Sequence, residues 1–123
     1  MASARASRLR QKISGLIGRR NAIERRLFER RQMVRASFLV RYLGTKQAKR
    51  RTPAYYLSFR KGGRTVLKYV PSGQRESVKA RAGAWGQYVR LVAEWVRISR
   101  EIEKGWRALG EAQLEIVDGQ KRL

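Results

Sequence analysis

The chain has no cysteine and no histidine, one aspartate, two prolines and no long apolar run. Each absence closes off a class of chemistry. Without thiols or imidazoles there is no disulfide framework, no Cys/His zinc site, no Cys or Ser-His nucleophile system and no imidazole base. Two-metal and acid–base catalysis of the nuclease or transposase kind gathers several carboxylates, mostly Asp. Here the single Asp is Asp118, close to the end, and Glu94, Glu101, Glu103, Glu111 and Glu115 are strung along one helical stretch among arginines. No P-loop, dinucleotide glycine pattern or metal-ligand cluster is present. These absences predict a protein that is not an enzyme and takes no cofactor and no metal. No apolar run reaches the about 18–20 residues that span a bilayer, and the N-terminus lacks the apolar core of a secretory signal. The expectation is a cytoplasmic protein with no membrane partner.

What the chain has in excess is positive charge: 30 Lys and Arg against 9 Asp and Glu over 123 residues, a formal +21. A length of this order predicts a single domain, and such self-repulsion calls for a polyanionic partner, of which nucleic acid is the commonest. Arginines outnumber lysines 22 to 8, and the planar guanidinium suits bidentate phosphate and base-edge contact and stacks on rings.

One stretch specifies its own local structure. Gly62-Gly63 separates two runs rich in β-branched and aromatic residues across 54–70, the signal for a two-residue hairpin whose turn needs φ > 0 at both positions. That register sets Lys61 opposite Arg64, Phe59 opposite Val66, Leu57 opposite Lys68 and Tyr55 opposite Val70. Side chains alternate along a strand, so Tyr55, Leu57, Phe59, Val66 and Val70 form a mostly apolar face, and Tyr56, Arg60, Thr65 and Tyr69 dominate the other. Because a two-stranded hairpin is marginal in water, a third strand is expected over residues 36–43. The fold class is therefore α+β: a small three-stranded antiparallel sheet over 36–71, flanked by two long helices that can pair as an antiparallel coiled coil.

The first helix is expected over residues 1–35, where Glu24 and Glu29 are the only acids. Leu9, Ile13, Leu16, Ile23, Leu27 and Val34 recur at spacings of three and four or their multiples, with Arg20 and Arg30 filling the stripe. A narrow apolar stripe on a basic helix fits a coiled-coil face, a membrane-surface helix or a targeting peptide. The heptad spacing past residue 30 favours the first. The second helix is expected over 72–117, with Ser72 as N-cap and a tail over 118–123. Its stripe runs Val78, Ala82, Trp85, Val89, Val92, Trp95, Val96, Ile102, Trp106, Leu109 and Ile116. Gly83, Gly86, Gly105 and Gly110 leave open one weakened helix or a break near Gly105. The tryptophans read as core or interface residues, and Arg90/Glu94, Arg97/Glu101, Glu103/Arg107 and Arg107/Glu111 are i, i+4 pairs. The stripes can pair within the chain or make a homodimer through the helices.

Glu76 is the only acid between residues 36 and 77. The candidate nucleic-acid-binding residues are Arg41, Tyr56, Arg60, Arg64 and Tyr69 on the sheet and Lys46, Lys49, Arg50 and Arg51 in a basic loop over 44–53. Aromatics among cations can stack unpaired bases or lie along a groove while the cations hold phosphates.

Arg41-Tyr42, Pro53-Ala54-Tyr55-Tyr56-Leu57-Ser58, Gly63-Arg64-Thr65 and Tyr69-Val70-Pro71 resemble successive motifs of an uncharacterised family of small prokaryotic proteins found near transposases in mobile elements. The resemblance covers residues 35–95. In that family a Cys-Gly-Lys-rich, metal-binding loop joins the first two strands; here the loop is short and basic and lacks the cysteines. The resemblance implies a mobile-element setting, DNA ahead of structured RNA as the partner, and a transposase or RNA-guided nuclease as a possible protein partner. The strand-hairpin-helix order also resembles the sheet-plus-helix modules that read DNA in some integrase arm and plant transcription-factor domains.

Overall fold

The computed structural model describes residues 2–42 and 53–114. The elements are α1 (Ala2–Leu27), β1 (Ser37–Arg41), β2 (Ala54–Lys61), β3 (Arg64–Tyr69), a 3-10 turn (Ser72–Gln74) and α2 (Arg75–Ala112), which gives the expected α+β class. They gather into two compact units: Arg30–Arg90, and a unit that joins residues up to Glu29 with those from Leu91 onward.

In the Arg30–Arg90 unit the hairpin forms as the glycines dictate. Gly62 and Gly63 have φ of 59° and 77°, the left-handed conformation that a primed two-residue turn requires at both positions. Lys61 pairs with Arg64, Phe59 with Val66 and Leu57 with Lys68, and the Val70 amide donates to the Tyr55 carbonyl at 2.8 Å, extending the ladder by one pair. On the other edge of β2, β1 runs antiparallel with Phe38 opposite Leu57 and Val40 opposite Tyr55, so the strand order is β1-β2-β3. The Tyr55 side of the sheet meets α2: Phe38 stacks on Tyr55 at 5.5 Å between ring centroids, and the Arg75 guanidinium caps the Tyr55 ring at 4.6 Å. The Val34 amide donates to the Arg81 carbonyl at 3.1 Å and ties the approach to β1 onto the same helix. Ala54, Val70, Val78 and Ala82 are the buried apolar residues among the described residues of this unit.

The second unit is a helical pair. Its core is Ala6, Ile13 and Ile23 of α1 against Leu91, Ile98, Ile102 and Leu109 of α2, with Leu9, Leu16, Ile17, Leu27 and Trp95 packed against it. Glu24 accepts a hydrogen bond from the Trp95 indole at 2.8 Å, while Arg10 donates to Gln113 at 2.6 Å, so the helices run antiparallel. On α2 the positions 91, 95, 98, 102, 105, 109 and 112 alternate in steps of four and three, the spacing that keeps one stripe against a partner helix. Gly105 is the close-approach point: a Cβ there would lie 2.7 Å from Ile13 Cγ1.

Several expectations are corrected. Helix α1 ends at Leu27, not near residue 35. The next stripe position is Arg30, which offers nothing apolar to bury, and Arg25 and Arg26 already occupy the last turn, where cations suit the helix dipole. Ser72 makes no side-chain cap; the helix is entered through the 3-10 turn, closed by the Gln74 amide on the Pro71 carbonyl at 3.0 Å. Of the two outcomes left open for α2, the single helix is the one found: it runs unbroken through all four glycines. The buried row of α2 takes in Leu91 and Ile98, which the expected stripe omitted, and leaves its Val89, Val92 and Trp106 exposed. Among the described residues no helix is long and apolar enough to cross a membrane.

Candidate nucleic-acid interface

Pairing across three strands stacks the sheet's second face in rows. Leu39, Tyr56 and Tyr69 form one row; Arg41 lies with Ala54 in the row on one side of it, and Ser37, Ser58 and Leu67 in the row on the other. One row further is Arg60 with Thr65. At about 3.4 Å per residue, Arg41 and Arg60 stand at opposite ends of a strip about 20 Å long with the tyrosines between them. Tyr56 and Tyr69 meet edge to face, their centroids 5.8 Å apart. Tyr69 is 57% exposed and Tyr56 and Leu39 are half-buried, so the row presents mainly the Tyr69 ring to solvent.

Arg60 is held in place from its own hairpin, donating to the Gly63 carbonyl at 2.8 Å and to the Thr65 hydroxyl at 3.5 Å. These bonds use two of the five guanidinium donors and leave the others for a ligand. A planar cation fixed in this way costs less entropy to engage than a free one.

The structure thus brings Arg41, Tyr56, Arg60 and Tyr69 to one face. Arg64 differs: it pairs with Lys61, on the face of Phe59 and Val66, and so belongs to the opposite face at the exposed hairpin tip. Lys46, Lys49, Arg50 and Arg51 lie outside the described residues. No group of three or more acidic residues that could hold a metal ion occurs among the described residues.

The charge is unevenly divided between the units. Arg30–Arg90 contains 16 Lys and Arg and one acid, Glu76, a net +15. The helical unit holds most of the acids, and there Glu103 pairs with Arg107 at 3.0 Å, Glu101 with Lys104 at 3.3 Å and Glu24 with Arg20 at 4.0 Å.

Sequence reasoning missed two cation–ring contacts. Besides Arg75 on Tyr55, the Arg35 guanidinium sits 5.6 Å from the Trp85 centroid, and Trp85 stacks with Tyr88 at 6.3 Å. The Trp85–Tyr88 spacing was open to reading as an i, i+3 neighbour pair. The arginines were not, because each meets its ring only through the docking of the sheet on α2.

Searches of family models, curated proteins and solved structures find no match to this chain.

Proposed function

We propose that this is a non-enzymatic nucleic-acid-binding protein that takes an unpaired stretch of the chain across the Tyr56–Tyr69 face of its sheet. The observation that carries the reading is the placement of two tyrosines between Arg41 and Arg60 on one face of a unit with a net charge of +15. The exposed Tyr69 ring, with half-buried Tyr56 edge-on beside it, serves stacking, which is open to every base because every base has a π-face, while flanking cations hold phosphates and add a salt-dependent term. A duplex buries its base faces and offers the tyrosines less. A basic protein of this kind belongs with nucleic acid in the cytoplasm, and the family resemblance suggests a mobile-element accessory factor acting on DNA. The second reading, an assembly subunit that docks on a transposase or nuclease, draws on exposed Trp106, Val89 and Val92 of α2.

The test is a fluorescence-anisotropy titration with a 20-nucleotide oligothymidylate, the matching duplex and the RNA equivalent, over a range of salt. The single strands are expected to bind more tightly than the duplex. Tyr56→Ala and Tyr69→Ala are each expected to weaken them by about 1–3 kcal/mol, the usual worth of one stacked base. A duplex preference with no response to either tyrosine would refute the assignment.

A further inference from the structure

The sheet face leaves a second feature of the same unit unused. Between β1 and α2 lies an open cleft of about 630 Å³, walled by Ala36, Ser37 and Phe38 on one side and by Trp85 on the other, with Lys79 and Arg90 on its helical rim. Its volume falls within the range of small-molecule sites, about 300–1,000 Å³. The floor is α2 itself at Ala82, Gly83 and Gly86. Glycine inside a helix costs about 1 kcal/mol relative to alanine, and the fold's own packing does not call for it here. A Cβ at Gly83 would meet nothing within 4 Å, and one at Gly86 only Arg90 Nη1 at 3.5 Å. The same 3.5 Å shows where Arg90 is: its guanidinium folds back over Gly86 and brings a cation to the cleft.

A smaller cleft adjoins this one, sharing Ala36, Ser37 and Trp85 and adding Arg35, Ser58 and Arg60. Trp85 therefore stands between two recesses. Arg60 lines the smaller recess and also belongs to the row with Thr65 on the tyrosine face. A chain laid along that face past Arg60 meets the mouth of the recesses.

We infer that the cleft between β1 and α2 receives one unpaired nucleotide of the bound strand, its base lying flat on Gly83 and Gly86 between Phe38 and Trp85 and its flanking phosphates held by Lys79 and Arg90. Charge complementarity selects this occupant: the lining supplies cations and no acid, in a unit whose only acid is Glu76. A floor without side chains leaves room for a planar base, and the Phe38 and Trp85 rings give it apolar neighbours. The inference rests on the nucleic-acid reading above, and its test separates the two.

Gly83→Leu fills the cleft from its floor. Because nothing stands within 4 Å of the added Cβ, and leucine is a better helix former than glycine, the variant is expected to melt no lower than the wild-type protein. The probe is the same 20-nucleotide oligothymidylate. Gly83→Leu is expected to weaken it about tenfold, within the range for losing one stacked base, with little change in the slope of affinity against salt. Lys79→Gln/Arg90→Gln, a surface change safe for folding, is expected to lower the slope by about 1.4 for a single strand, and it decides the matter should Gly83→Leu fail to fold. Wild-type protein that ignores the oligonucleotide would overturn both readings. Full wild-type binding that withstands the cleft variants but falls in Tyr56→Ala would overturn the cleft alone.

Discussion

At the residue scale the same residue type plays opposite parts. Gly62-Gly63 could be read in the sequence because its meaning is local: two adjacent positions need positive φ, and the flanking strands announce it. Gly105 could not, because its meaning lies in Ile13, a residue of the other helix that the sequence does not place beside it. Gly105→Ala is expected to destabilise the helical unit by up to about 2 kcal/mol, since overpacking against Ile13 (about 1–3 kcal/mol) outweighs the propensity gained (about 1 kcal/mol). Gly110→Ala, whose Cβ meets nothing within 4 Å, is expected to stabilise by up to about 1 kcal/mol. Urea unfolding of the pair measures both, and equal signs would contradict the close approach at Gly105. Arg20 offers another residue-level test. It fills a stripe position of α1, yet its buried Nε has no hydrogen-bond partner and only Glu24 at 4.0 Å as counter-charge. The side chain as a whole is 29% exposed, so an apolar replacement gives up little more than a surface ion pair worth about 0–1 kcal/mol and adds apolar area to the seam. Arg20→Leu is expected to raise the unfolding midpoint, and a fall of more than about 1 kcal/mol would show that Arg20 is worth more in the seam than its geometry suggests.

At the element scale the α1 stripe was legible from Leu9 to Leu27 because no rival apolar row competes with it. Helix α2 carries apolar residues on more than one side, and periodicity alone does not say which side a partner covers. The buried row passes through Leu91 and Ile98, at 4% and 3% exposure, while Val92, one position along, is 39% exposed. A partner helix chose between them, and the partner's register was not in the local pattern. Ile98→Ala is accordingly expected to cost about 2–5 kcal/mol, the range for truncating a buried aliphatic side chain, whereas Val92→Ala should stay within about 1 kcal/mol. Thermal or urea unfolding of the two variants reads this directly, and a larger loss at Val92 would mean that the seam lies one step round the helix. The sheet shows the complementary case: alternation in β2 and β3 predicted which side chains share a face. It also placed Arg64 with Lys61, away from the tyrosines it was grouped with as a candidate site residue.

At the scale of the whole molecule, the net charge was evident from composition and the near absence of acids over 36–77 from the sequence, but the pairing of the two chain ends into one unit was not. The helical unit is assembled from both ends of the chain, and Glu94, Glu101, Glu103 and Glu111 of α2 fall into the same unit as the basic α1. Composition therefore averages a strongly basic unit with one whose charges are partly paired. The consequence can be measured as a salt slope. For single-stranded nucleic acid each neutralised phosphate contributes about 0.7 to the slope of log affinity against log salt. Arg41→Gln/Arg60→Gln removes two cations that bracket the tyrosine row and should lower the slope by about 1.4, with unfolding midpoints monitored because Arg60 also bonds its own hairpin. Arg97→Gln/Arg100→Gln removes the same formal charge from the helical unit and should leave the slope within about 0.3, since long-range attraction between exposed charges is screened beyond a Debye length of about 8 Å at physiological salt. If both pairs lower the slope equally, the polyanion is held by the charge of the molecule at large and the tyrosine face has no privileged role. If only the first pair acts, the +15 unit is where the strand lies, and the affinity left at high salt is the share contributed by ring stacking.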